Sequence, residues 1–256
     1  METLLQIGPS AWAVVMMVAL LAGVVKGVVG FAMPMILISG LGSVISPELA
    51  LAGLILPTVV ANLWQALRQG WRAAWGSVRA YWVFLGVGFV VLMAAAQLVP
   101  IMPKPLIFLL IGIPVTLYAG LGVMGIPPRL PGGEGRRGEA TMAVIAGFFG
   151  GISGVWGPPT VAMLTARGTG KADQMRIQGV IYGLGSVALL WAHMVSGVLD
   201  TKTAPLSLLL VAPAILGLWV GFHISDRIDH KAFRKLTLLV LLIAGLNLIR
   251  RGIMAF

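Results

Sequence analysis

Apolar stretches at 48–67, 80–99, 105–125, 177–198, 205–224 and 236–249 dominate this 256-residue chain, and charge is confined to the short segments between them. A helix of about 20 apolar residues crosses the hydrocarbon core of a bilayer. Five of the stretches meet that length, and the last is shorter and closed by Arg250 and Arg251. The residues are 59% hydrophobic and 10% charged, against about half and a quarter in soluble domains. Too little polar surface remains to cover a water-soluble globule, so the expected fold class is an all-α polytopic membrane protein. The absence of cysteine removes disulfide scaffolds and thiolate metal sites. The net charge of +10 lies in loops and forms no basic face interleaved with aromatics. It therefore reads as membrane topology, and no nucleic-acid partner is expected.

Two further apolar runs, 10–42 and 140–166, are broken by glycine and proline. Sliding the chain by 127 residues superposes Gly23, Gly27 and Gly30 on Gly150, Gly154 and Gly157, and the rare Trp64 on Trp191. One offset serves the whole half-chain, so the sequence reads as a duplicated unit. The first repeat covers 1–126 and the second 140–256, joined by a polar linker at 127–139.

Charge orients the halves. If every run crossed once, Lys and Arg would divide nine against eight, with no bias. If each glycine-broken run enters and leaves on one side, the division becomes thirteen against four, the four being Lys104, Lys202, Arg250 and Arg251. That lopsidedness is what cytoplasmic loops produce. Each repeat then makes an odd number of crossings, and its copy enters inverted. The expected architecture is two inverted-topology repeats. Each is a glycine-broken helical hairpin, re-entrant or of two short arms, followed by three transmembrane helices. Both termini lie outside and the linker lies in the cytoplasm of a multi-pass cell (inner) membrane protein. The N-terminal run lacks a basic n-region and is expected to be retained.

Broken helices inside a bilayer must line protein or a polar cavity, because lipid cannot satisfy their backbone groups. Half-helices starting at the two tips would aim free N–H groups and positive dipole ends at a site near the midplane, which favours an anion. Lys26, the only charge in its run, adds to that sign. It either neutralises a bound anion, or snorkels or pairs with a helix C-terminus. Candidate substrate-binding residues are Lys26, Gly27, Gly30, Phe31 and Pro34 in the first hairpin, and Ser153, Gly154, Gly157 and Pro158 in the second. Asn62 and Gln65 join them from one span and His193 from its repeat counterpart. Asn62, Gln65, Ser153 and His193 have equally good structural readings as helix-packing or hydrogen-bonding groups. No carboxylate sits mid-span, which argues against a cation carrier and against hydrolytic or metal chemistry. No catalytic residue, metal or cofactor is expected, and no GxxxxGK[ST] motor loop is present.

The paired GxxxGxxG turns at Gly23, Gly27, Gly30 and Gly150, Gly154, Gly157, set in two four-segment halves, resemble the TauE/SafE (TSUP) family of sulfite-exporter-like membrane carriers over nearly the whole chain. The resemblance implies a secondary transporter of small anions, of the sulfite or organosulfonate type, working by alternating access. Protons are a candidate coupling ion. An anion channel would use the same site geometry, and a membrane-embedded enzyme or assembly factor is a third reading disfavoured by the missing acids.

Overall fold

The computed structural model describes residues 8–98, 103–126, 133, 135–153 and 157–254. Among them lie eleven α-helices and no strand: α1 (Pro9–Val29), α2 (Met33–Leu41), α3 (Pro47–Leu67), α4 (Trp71–Ala80), α5 (Trp82–Ala96), α6 (Lys104–Val123), α7 (Arg136–Ser153), α8 (Gly157–Ala166), α9 (Lys171–Val195), α10 (Ala204–Arg227) and α11 (His230–Met254). Five of these, α1, α3, α9, α10 and α11, are long and apolar enough to cross a bilayer, and a sixth span arises if α4 and α5 count as one bent by 68°. Large apolar side chains lie exposed along them, such as Met17, Leu21, Leu208, Leu216 and Ile243, while Lys26, Asn62, Gln65 and Gln178 are buried. That distribution suits a lipid solvent, in which an apolar surface costs nothing and a polar group must find a protein partner.

The helix bounds repeat at the 127-residue offset, with α1, α2, α3 and α6 matched by α7, α8, α9 and α11. Two differences from the sequence expectation stand out. The segment after Arg68, read as a loop, is the short helix α4, whose exposed Trp71, Arg72, Trp75 and Arg79 contrast with buried Ala74 and Ser77. The arms of the first hairpin are also unequal: α1 has 21 residues and α2 only nine. Gly23 and Gly27 do not turn the chain, because they lie inside α1 and the break comes at Gly30.

The described chain forms two compact units, each drawing on both halves of the sequence. Residues 1–74 and 175–229 make the first. Its main seam joins α1 to α10. A Cβ on Gly23 would meet Leu218 N at 2.8 Å, and one on Gly27 would meet Gly221 Cα at 2.7 Å. Reciprocally, a Cβ on Gly217 would meet Val24 N at 2.9 Å, and one on Gly221 would meet Gly27 Cα at 2.7 Å. Lipid tails are as apolar as leucine, so helices in a membrane associate through close van der Waals contact, and glycine lets backbones touch. The same unit contains α3, which carries Pro57 in its interior. A proline has no N–H to give the carbonyl four residues back. Here Ser207 of α10 supplies the missing donor, its hydroxyl binding Gly53 O at 3.2 Å while accepting the Leu56 N–H at 3.0 Å. At the far end of these helices Arg68 pairs with Asp226 and stacks on Phe222, 4.3 Å from the ring centre.

Residues 75–174 and 230–256 make the second unit. Its seams are α5 with α7, where a Cβ on Gly147 would meet Gly88 Cα at 3.1 Å, and α6 with α11, where one on Gly245 would meet Thr116 N at 2.9 Å. Glu139, buried in the first turn of α7, accepts the N–H of Phe84 at 3.0 Å and so caps the start of α5 just after the bend. Arg167 lies 3.9 Å from that carboxylate and donates to Gly135 O at 2.9 Å.

Candidate functional site

The first unit brings the polar residues of its spans together at the end of α1. The helix runs without interruption to Val29 because its glycines are held against α10, and it stops where Gly30 adopts φ 88°, the left-handed geometry of a helix C-terminus. A Cβ here would crowd Met175 Sδ at 2.8 Å and Gln178 Cδ at 2.9 Å, so both conformation and space call for glycine. Phe31, Ala32 and Met33 follow, all buried. Ala32 is also left-handed, at φ 73°, and α2 starts without a side-chain cap. Pro34 occupies its first turn, where a missing N–H costs nothing.

Lys26 sits one turn before the break and is 1% exposed. Its ammonium donates to Asn62 Oδ1 at 2.6 Å and, more weakly, to Gly30 O at 3.4 Å, and lies 5.9 Å from the centre of the Tyr182 ring. A cation in the last turn of a helix complements the dipole. Among the described residues no carboxylate lies within ion-pair reach of it; Arg68 and Arg167 take Asp226 and Glu139. Asn62 in turn donates from Nδ2 to Tyr182 O at 3.2 Å. One turn on, Gln65 donates from Nε2 to Gly30 O at 3.1 Å and to Met175 O at 2.7 Å. The cradle is therefore built by α1, α3 and α9. Gln65 lies three residues before exposed Arg68, or about 5 Å along the helix, so the cradle is close to the end of α3 and not at its middle. The position follows from α1 remaining helical as far as Val29.

Of the residues the sequence singled out, the structure gathers Lys26, Gly30, Asn62 and Gln65 in direct contact. Gly27 is one turn from the break and faces Gly221 of α10. His193 is half-buried in the last turn of α9, about 16 Å further along that helix than Tyr182, and is not brought to the cradle. In the second unit Gly157 and Pro158 open α8, and α7 ends at Ser153, while Gly154 lies outside the described residues. Sequence reading missed Met175, Gln178 and Tyr182. Gln178 and Tyr182 are spaced i, i+4, one face of a helix, and a glutamine inside an apolar run was the signal that marked them.

Exposed apolar helices, glycine-sealed seams and a polar cluster buried at a helix break define a multi-pass α-helical membrane protein. The family described as "Sulfite exporter TauE/SafE" matches residues 15–248, and the chain belongs to that family of membrane transporters, as its paired glycine motifs implied. Comparisons with curated proteins and with solved structures give no match.

Proposed function

We propose that this protein is a secondary transporter of small anions, of the sulfite and organosulfonate type, and that the solute binds at Lys26. The observation that carries the reading is a lysine buried at a helix break with only neutral oxygens for partners. Burying a charge is costly unless it is paired, and ionisable groups inside membrane spans mark solute pathways. An arriving anion supplies the counter-charge that none of the described residues provides. Asn62 holds the ammonium in place, Gly30 gives the backbone turn, and Gln65 fixes that turn to α3 and α9. Family membership supports the substrate class, because the family is one of sulfite exporters.

The 127-residue repeat of helix bounds supports two inverted repeats at 1–126 and 140–256 working by alternating access, with protons as a candidate coupling ion. The thirteen-to-four charge division supports an inner-membrane orientation with the 127–139 linker in the cytoplasm and both termini outside. The test is anion flux in proteoliposomes with sulfite, alkanesulfonates, sulfate and chloride, for the wild type and Lys26→Ala. Saturable sulfite flux with trans-acceleration, lost in a Lys26→Ala protein that still runs as a single folded species, is the expected result. Unchanged affinity and rate in that variant would take Lys26 out of the site, and flux without trans-acceleration would make the protein a channel.

A further inference from the structure

The cradle holds one group that its own hydrogen bonding leaves unused. Gln65 is 1% exposed, and its side-chain nitrogen is committed to two backbone carbonyls, those of Gly30 and Met175. That commitment fixes the orientation of the amide, since reversing it would aim Oε1 at two carbonyl oxygens. With Nε2 so placed, Oε1 is buried and accepts nothing. Buried acceptors are almost always paired, and one left over at a binding site calls for a donor from elsewhere. The bonds of the neighbouring donors go elsewhere, Lys26 Nζ to Asn62 and Gly30 and Asn62 Nδ2 to Tyr182, and none reaches Gln65 Oε1. Lys26 and Gln65 also end on the same carbonyl oxygen, that of Gly30, so the ammonium and the Gln65 amide are neighbours.

We infer that the transported solute carries a hydrogen-bond donor as well as a negative charge, and that Gln65 Oε1 reads the donor while Lys26 reads the charge. The inference rests on the anion site proposed above and narrows its ligands to monoanionic sulfur oxyanions bearing an O–H or N–H. Protonated sulfite and hydroxy- or amino-substituted sulfonates belong to that class; plain alkanesulfonates and fully deprotonated dianions do not. A site that hydrogen-bonds a substrate hydroxyl discriminates strongly against an analogue lacking it, because its own polar group is then left buried and unpaired.

The experiment is competition against sulfite flux in proteoliposomes by 2-hydroxyethanesulfonate and propane-1-sulfonate, which have equal charge and similar shape and differ by a hydroxyl in place of a methyl. The wild type is expected to prefer the hydroxy compound by about tenfold or more. Gln65→Met, which removes the acceptor at similar volume, should bring the ratio close to one. Equal inhibition of the wild type by both compounds overturns the inference, and does so without needing a folded variant. Inhibition by neither, with sulfite flux intact, also overturns it while leaving the anion site at Lys26 standing. Loss of Lys26-dependent sulfite flux itself removes the underlying reading, and the inference falls with it.

Discussion

Replacing Gly27 by alanine tests whether the α1–α10 seam places the cradle. A Cβ at Gly27 would stand 2.7 Å from Gly221 Cα and 2.9 Å from Gly221 C, where ordinary contact begins at 3.4 Å. The obstructing atoms, with Leu218 O nearest of all, are backbone, so no rotamer change relieves the clash, and α1 must move off α10 by more than about 0.7 Å. Overpacking of this kind costs about 1–3 kcal/mol. Because Lys26 is the adjacent residue and its 2.6 Å bond to Asn62 is held across to α3, the same displacement loosens the cradle. Thermal unfolding in detergent and sulfite flux in proteoliposomes should both fall for Gly27→Ala. Gly86→Ala is the control, since an added Cβ in α5 meets nothing within 4 Å, and the helix propensity gained is the same. If the two variants unfold at the same temperature and transport equally, α1 is not locked to α10 and the placement argument fails.

Two other expectations concern groups away from the cradle. Ser207→Ala strips the donor from the Gly53 carbonyl that Pro57 leaves open and should cost about 1 kcal/mol or somewhat more; with Pro57→Ala the backbone N–H returns, and a double-mutant cycle in denaturant should show the second change offsetting part of the first. In the loop before α10, the N–H groups of Thr203 and Lys202 hold the Asp200 carboxyl below its ordinary pKa. A depressed carboxylate contributes order above its unfolded pKa and loses it as pH falls through the lowered value, so the protection of the Lys202 and Thr203 amides, taken relative to the pH-dependent intrinsic exchange rate, should hold at neutral pH and fall only in acid. Protection already lost near neutrality would remove Asp200 as the cause.

Much of the architecture was legible because bilayer physics acts on composition and local order. Length and hydropathy come within a few residues of Pro47–Leu67 with 48–67 and of Ala204–Arg227 with 205–224, but 177–198 and 236–249 each start six residues after Lys171–Val195 and His230–Met254 begin. The expectation of a repeat rests on one offset that aligns glycines and a rare tryptophan. Lys26 was conspicuous as a single charge in a long apolar run, which predicts burial with a special purpose whatever its partners. The α4 helix was not legible: its Trp71, Arg72, Trp75 and Arg79 are spaced for an amphipathic turn, but charge density reads first as loop.

The sequence by itself determined the solvent this chain folds in, its helical class and its family. Tertiary structure alone decided which glycines bend the chain and which seal two helices, since both uses share the same spacing and differ only in what stands opposite. It also decided the company Lys26 keeps. Asn62 is 36 residues away in sequence, and Gln65 reaches Met175 across 110. Hydrophobic periodicity records which face of a helix is buried, not which distant helix buries it, and here the partners come from opposite halves of the chain.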